Sequence, residues 1–217
     1  MSGNLYTTEN MKNLKQLNDL ASEQLQAFND FNAAVFQDGA LSRKEKEIIA
    51  VAIAHVTECP YCIDSHTKSA KKAGASLEEL AEAVFVTAAV EAGGAVTHST
   101  HVHNAMDNDA SDVLYARSNL KKLGQLGKYA AKGFKGYSAF SAAATKDGKL
   151  SAAFKEIIAV AVGTATQCPY CIDVHSKNAE KQGATGEQLA EAIMVSSALR
   201  AGGAYAHMGN MIESYRD

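Results

Sequence analysis

The sequence predicts an all-α protein made of two tandem helical domains related by internal duplication, and three observations carry that prediction. Its only two prolines are Pro60 and Pro169, which leaves long alanine-rich stretches free of helix breakers. Apolar residues recur at helical spacing, as in Leu14, Leu17, Leu20, Ala21, Leu25 and Phe28, and again in Ile48, Val51, Ala52 and Val56. The stretch Cys59-Pro60-Tyr61-Cys62-Ile63-Asp64-Ser65-His66 returns as Cys168-Pro169-Tyr170-Cys171-Ile172-Asp173-Val174-His175. The offset of 109 holds over most of the chain, and residues 41–98 match 150–207 at 34 of 58 ungapped positions.

Each copy reads as a series of helices, in the first copy about 10–36, 42–58, 60–73, 77–91 and a last one from Ala95. Asp38-Gly39 and Asp147-Gly148 stop the first helix, and Ser42 and Ser151 stand ready to cap the second. Proline after the first cysteine of each pair suits the first position of a third helix, which Gly74 and Gly183 end. Ser76 and Thr185 precede acidic first turns and should cap the fourth. Gly93-Gly94 and Gly202-Gly203 mark either a helix break or a close contact. Residues 104–118, with Asp107-Asn108-Asp109 and Ser111-Asp112, form the natural linker, giving domains of 1–106 and 115–217.

An apolar share of 47% and no long charge run describe a globular chain able to bury a core, with much apolar surface expected between the copies. The net charge of −3 argues against a nucleic-acid surface. Residues 1–24 are polar and periodic, and nowhere do eighteen apolar residues run together, so a cytoplasmic protein that leaves membranes alone is expected. Alanine-rich faces on small domains call for a homo-oligomer, a trimer imitating a hexamer of single domains.

The chemistry lies in the repeated stretch, which uses all four cysteines. Glu47 and Glu156 each stand twelve positions before the first cysteine, so the unit is Glu-x11-Cys-x2-Cys-x3-His. With Cys59 as cap and Pro60 as first helical residue, Cys62 falls in the first turn, where free N–H groups and the helix dipole favour a thiolate. His66 follows one turn later on the same face and can take the thiol proton. The second copy repeats this with Cys168, Cys171 and His175. Cys-x2-Cys-x3-His also offers three zinc ligands, but each copy would lack a fourth unless Glu47 or Glu156 supplied it, and Pro-Tyr between the cysteines suits a thiol oxidoreductase better. A permanent structural disulfide fits poorly with an ordinary core.

Other recurring residues carry blander readings. Glu82 and Glu191 suit a surface or salt-bridge role. His98 and His207 recur, and the first copy alone adds His101 and His103, a spacing that could bind metal but more simply describes surface histidines. Tyr61 and Tyr170 suit packing beside the thiols.

At the Glu-x11-Cys-x2-Cys-x3-His unit the chain resembles the alkyl hydroperoxidase D (AhpD)-like branch of the carboxymuconolactone decarboxylase family, and the duplication carries the resemblance over nearly its whole length. The resemblance implies an all-helical fold, oligomers built from repeated domains, and thiol peroxidase or disulfide reductase activity without haem, flavin or other cofactor. It implies that Cys62 and Cys171 attack peroxide, activated through His66 and His175 and Glu47 and Glu156, while Cys59 and Cys168 resolve. An external dithiol, on a lipoylated or thioredoxin-like protein, would be the reductant. Tyr61 and Tyr170 depart from the histidine that the best-known member carries between its cysteines, so no proton relay runs through that position. Most decarboxylase members lack the cysteine pair, which sets lactone decarboxylation aside. The alternative class is a thiol–disulfide relay, sensor or metal binder using the same residues.

Overall fold

The computed structural model of the chain describes residues 6–107, 109 and 113–216. Every regular element among them is a helix. A 3-10 helix, Asn10–Gln16, leads into α1 (Leu17–Leu20), α2 (Ser22–Val35), α3 (Arg43–Val56), α4 (Pro60–Lys72) and α5 (Leu77–Ala105). The second copy repeats the series with a 3-10 helix at Arg117–Lys122, then α6 (Leu123–Tyr129), α7 (Ala131–Thr145), α8 (Ala152–Ala165), α9 (Pro169–Lys181) and α10 (Gly186–Arg216). Asn108 and residues 110–112 of the expected linker lie outside the described residues, as does the stretch 1–5.

Two expectations are corrected. The helix expected over 10–36 is three pieces: a 3-10 opening, a short α-turn, and α2 after a break at Ala21 (φ −158°, ψ 54°). A 3-10 turn brings residues three apart onto one line, so Leu14 and Leu17 are buried together against Ile212, whereas Leu20, past the end of the 3-10 helix and next to the break at Ala21, is exposed. The helical periodicity of the sequence runs across this break without showing it. The second correction joins the helices expected over 77–91 and from Ala95: α5 and α10 run unbroken through Gly93-Gly94 and Gly202-Gly203, so neither pair of glycines is a helix break. Gly93 is a close-packing position, because a side chain there would meet the Tyr137 hydroxyl of α7 at 2.7 Å.

Capping follows the sequence. Ser42 and Ser76 each form a full capping box, with Glu45 and Glu79, and Ser151 and Thr185 accept from the amides of Phe154 and Gln188. Gly74 and Gly183 close α4 and α9 in the left-handed region, at φ 91° and 88°, where glycine alone pays no side-chain penalty.

The two copies share one core. Its apolar centre is the pair of equivalent helices α3 and α8, whose Ile48, Ile49, Val51, Ile53 and Ile158, Val160, Val162 are almost wholly buried. α5 packs on α8 and α10 packs on α3, so each copy's long helix crosses to the other copy. α5 has the length and apolar composition of a membrane span. Its Leu80, Ala83, Val86, Ala89, Val90 and Gly93 are nonetheless buried against other helices of this chain.

The copies are also tied by a reciprocal polar contact. Glu82 of α5 accepts from the amides of Lys149 (2.8 Å) and Leu150 (3.0 Å) and pairs with the buried Lys155 at 2.8 Å. Glu191 of α10 does the same in the first copy, accepting from Ala40 (2.9 Å) and Leu41 (2.8 Å) and pairing with the buried Lys46 at 3.0 Å. The salt-bridge reading of these glutamates holds, and the partner in each case lies in the other copy.

Candidate functional site: two thiol pairs at the starts of α4 and α9

The chain reaches each cysteine pair through a tight turn. α3 ends with Glu58 in the left-handed region (φ 52°), and the amide of Cys59 returns to the carbonyl of Ala54 at 3.3 Å. The second copy places Gln167 (φ 57°) and the Cys168-to-Gly163 bond (3.0 Å) identically. That closure satisfies the last carbonyls of one helix and delivers the first cysteine directly to the cap of the next. Cys59 and Cys168 are the caps, their sulfurs accepting from the amides of Cys62 and Cys171 at 3.2 Å, and Pro60 and Pro169 follow in the first turn. Cys59 is disulfide-bonded to Cys62 and Cys168 to Cys171, with Cα–Cα separations of 5.2 and 5.3 Å. All four cysteines are buried.

The remaining motif residues meet as the spacing anticipates. Glu47 on α3 accepts from His66 Nδ1–H on α4 at 2.8 Å, and Glu156 on α8 accepts from His175 Nδ1–H on α9 at 2.7 Å. A carboxylate can only accept, so the bond fixes the proton on Nδ1 and leaves Nε2 as the basic ring atom. Glu47 and Glu156 are 1% and 4% exposed, a burial that a carboxylate sustains only with partners. Each histidine therefore sits one turn beyond the second cysteine of its pair, oriented by a buried carboxylate from the preceding helix.

The environments of the two dyads differ at residues that motif reasoning missed. Arg43, one turn before Glu47 on α3, pairs with the other oxygen of its carboxylate at 2.6 Å. Phe36 stacks on the His66 ring (5.4 Å between centroids, 22° between planes), and the Arg43 guanidinium lies over that same phenylalanine at 4.9 Å. The second copy has Thr145 and Ala152 at these places, and the other oxygen of Glu156 receives the Asn178 amide at 3.4 Å. Arg43 could have been found from its i, i+4 spacing to Glu47. Phe36 carried no such signal.

Each pair is also covered by the other copy. His207 of α10 packs edge-on against Tyr61 (5.7 Å) with Tyr6 beside it (6.2 Å from Tyr61), and His98 of α5 packs against Tyr170 (5.9 Å) with Tyr115 (5.9 Å from Tyr170). The Thr97 hydroxyl on α5 lies 3.9 Å from the Cys168 sulfur, and its counterpart in the second copy is Ala206 on α10. Tyr61 and Tyr170 are buried, as packing residues should be, and each also hydrogen-bonds, with Asn210 at 3.0 Å and Asn119 at 2.8 Å respectively. The surface reading of His98, His101 and His103 is corrected: all three are half-buried, with Nε2 enclosed and unpaired. Burial, and after it the neighbouring His101, lowers the His98 pKa. Among the described residues no three histidine, cysteine or acidic side chains come together at metal-binding distance.

Similarity to known proteins agrees with the duplication. An 81-residue stretch is 44% identical to "Uncharacterized protein 4 in cox locus" of Paracoccus denitrificans, covering 37% of this chain and 73% of that protein. A 95-residue stretch is 39% identical to an uncharacterized protein of Haemophilus influenzae, covering 44% of this chain and 84% of the relative. A crystal structure from Burkholderia xenovorans, of a protein provisionally named a gamma-carboxymuconolactone decarboxylase subunit, superposes with a TM-score of 0.69 over 94% of this chain and 90% of its own. At 21% identity that likeness concerns the fold alone. The carboxymuconolactone decarboxylase family profile matches twice, at residues 23–105 and 131–210, and the chain belongs to that family as a tandem of two units.

Proposed function

We propose that the protein is a thiol-dependent peroxidase of alkyl hydroperoxidase type, acting through the dithiol and disulfide forms of Cys59–Cys62 and Cys168–Cys171. The observation that carries this reading is the buried glutamate–histidine hydrogen bond, present in both copies on the helix that each CPYC opens. An imidazole whose Nδ1–H is held by a carboxylate is a competent base at Nε2, and the second cysteine of each pair lies one turn before it.

In the reduced protein, His66 takes the Cys62 proton, and the thiolate attacks the terminal peroxide oxygen. The O–O bond breaks, Cys62 becomes a sulfenic acid, and the departing alkoxide recovers the proton as an alcohol. The Cys59 thiol then attacks the Cys62 sulfur, closing the disulfide and releasing water. The amide of Cys62, which meets the Cys59 sulfur, favours a thiolate there and suits the resolving step. An external dithiol, oxidised to its own disulfide, restores both thiols. His175, Cys171 and Cys168 perform the same steps in the second copy, and no resident cofactor is required.

The role assignment is tested by trapping sulfenic acid. In Cys62→Ser/Cys171→Ser protein, peroxide should generate none. Cys59→Ser/Cys168→Ser protein should form it but fail to close a disulfide. The reverse pattern would assign attack to the helix-capping cysteine. Stoichiometric zinc that blocks thiol titration would replace the peroxidase with a metal binder. Assembly into a homo-oligomer belongs to the same proposal, and a monomer by light scattering at micromolar concentration would remove it.

A further inference from the structure

The two thiol pairs share a motif but not an electrostatic setting. In the first copy the carboxylate that holds His66 is shared: Arg43 occupies one oxygen of Glu47 at 2.6 Å, and His66 occupies the other at 2.8 Å. In the second copy Ala152 replaces the arginine, and Glu156 serves His175 with the neutral Asn178 amide on its other oxygen. A second difference points the same way. The residue entering the first pair is the anion Glu58, and the residue entering the second is the neutral Gln167, both in the same left-handed conformation.

We propose that Arg43 is a positioning residue that mutes the first thiol pair, making Cys168–Cys171 the faster-reacting of two unequal sites. This rests on the reading of the histidine as the base for the second cysteine. Moving the Cys62 proton to His66 creates an imidazolium, which Glu47 stabilises and Arg43 repels. Moving the Cys171 proton to His175 meets the attraction of Glu156 without the repulsion. Glu58 further opposes negative charge on the first pair, and Gln167 does not oppose it on the second. The other paired charges lean the same way: Asp64 pairs with Lys68, whereas Asp173 pairs with both Lys177 and Arg117, an extra cation two residues beyond Cys171, and the histidines His207 and His98 pack against Tyr61 and Tyr170 in equivalent places. Exposure does not separate the sites, since Cys62 and Cys171 are 6% and 4% exposed.

The test uses the fully reduced whole chain and needs no peroxide. Iodoacetamide alkylation at neutral pH, followed peptide by peptide, should modify Cys171 about fivefold faster than Cys62, a modest ratio because the Arg43 side chain is half-exposed and water screens it. Arg43→Met should bring Cys62 toward the Cys171 rate, whereas Arg43→Lys, which keeps the charge, should leave it slow. Ala152→Arg should slow Cys171 in a chain whose first site is untouched. Equal rates in the unmodified protein, or a Cys171 rate indifferent to Ala152→Arg, would overturn the inference. Retained rate order without peroxide-driven sulfenic acid would instead sink the peroxidase reading and leave this one standing.

Discussion

Glu47 is held almost entirely out of water, and both of its oxygens are partnered there, by Arg43 and by His66. Replacing the charge while keeping the shape isolates its role. In Glu47→Gln the imidazole loses the anion that favours its protonation, so alkylation of reduced Cys62 should slow by about tenfold or more. Cys171 in the same chain, with Glu156 intact, should keep its rate and serves as the internal reference. Unfolding should shift by only about 1–2 kcal/mol, because the half-exposed Arg43 can turn toward water. A Cys62 rate unchanged by the substitution would make Glu47 a packing residue. This dyad was legible in the sequence because a fixed twelve-residue spacing recurred in the duplicate, whereas Phe36 lies on a different element from His66 and nothing in a linear pattern couples the two rings.

The turns between helices show where local chemistry decides the element and where tertiary contact does. Gly74 and Gly183 were readable as stops because a helix that ends in the left-handed region prefers glycine. Glu58 and Gln167 take that same conformation without being glycine, so the turn into each cysteine pair is imposed by the closure of α3 onto α4 and of α8 onto α9. Glu58→Gly and Gln167→Gly should therefore be neutral or stabilising, by up to about 1 kcal/mol each in chemical unfolding, where the same change in a helix interior would cost about that much. A loss above 1 kcal/mol would show that the glutamate or glutamine side chain anchors the turn. The paired glycines were undecidable from sequence for the opposite reason: whether Gly93 breaks α5 or admits a neighbour depends on Tyr137, 44 positions away in the other copy. Gly93→Val should displace the Tyr137 hydroxyl and cost about 1–3 kcal/mol, with α5 remaining helical by circular dichroism.

At the scale of the whole molecule the duplication becomes a pseudo-symmetric assembly in which each copy supplies an acid to the other. Lys46 and Glu47 are adjacent on α3 and face different tasks, the lysine reaching Glu191 across the interface and the glutamate reaching the thiol site. Lys155 and Glu156 repeat the division on α8. The sequence showed Glu82 and Glu191 recurring but could not show that their partners were crossed between copies, since an internal repeat fixes equivalence and leaves contact undetermined. Burial alone would raise the Glu82 carboxyl; the amides of Leu150 and Lys149 and the Lys155 ammonium outweigh it and lower the pKa from 4.5 to about 2. Glu191 is lowered too, by the Leu41 and Ala40 amides and Lys46 acting against burial. A folded-state pKa below the unfolded one means that the unfolded chain binds more protons in between, so this contribution is complete above about pH 5 and drains away as pH falls toward 2. Resistance to chemical unfolding should accordingly weaken as the pH falls through that window. In Glu82→Gln the buried Lys155 loses its anion, which should cost about 2 kcal/mol at pH 7, and the penalty should shrink as the pH is lowered toward 2, where the native glutamate is itself losing its charge. An equal penalty at pH 7 and pH 2 would mean that Glu82 stabilises the interface by shape and hydrogen bonding, with its charge contributing nothing.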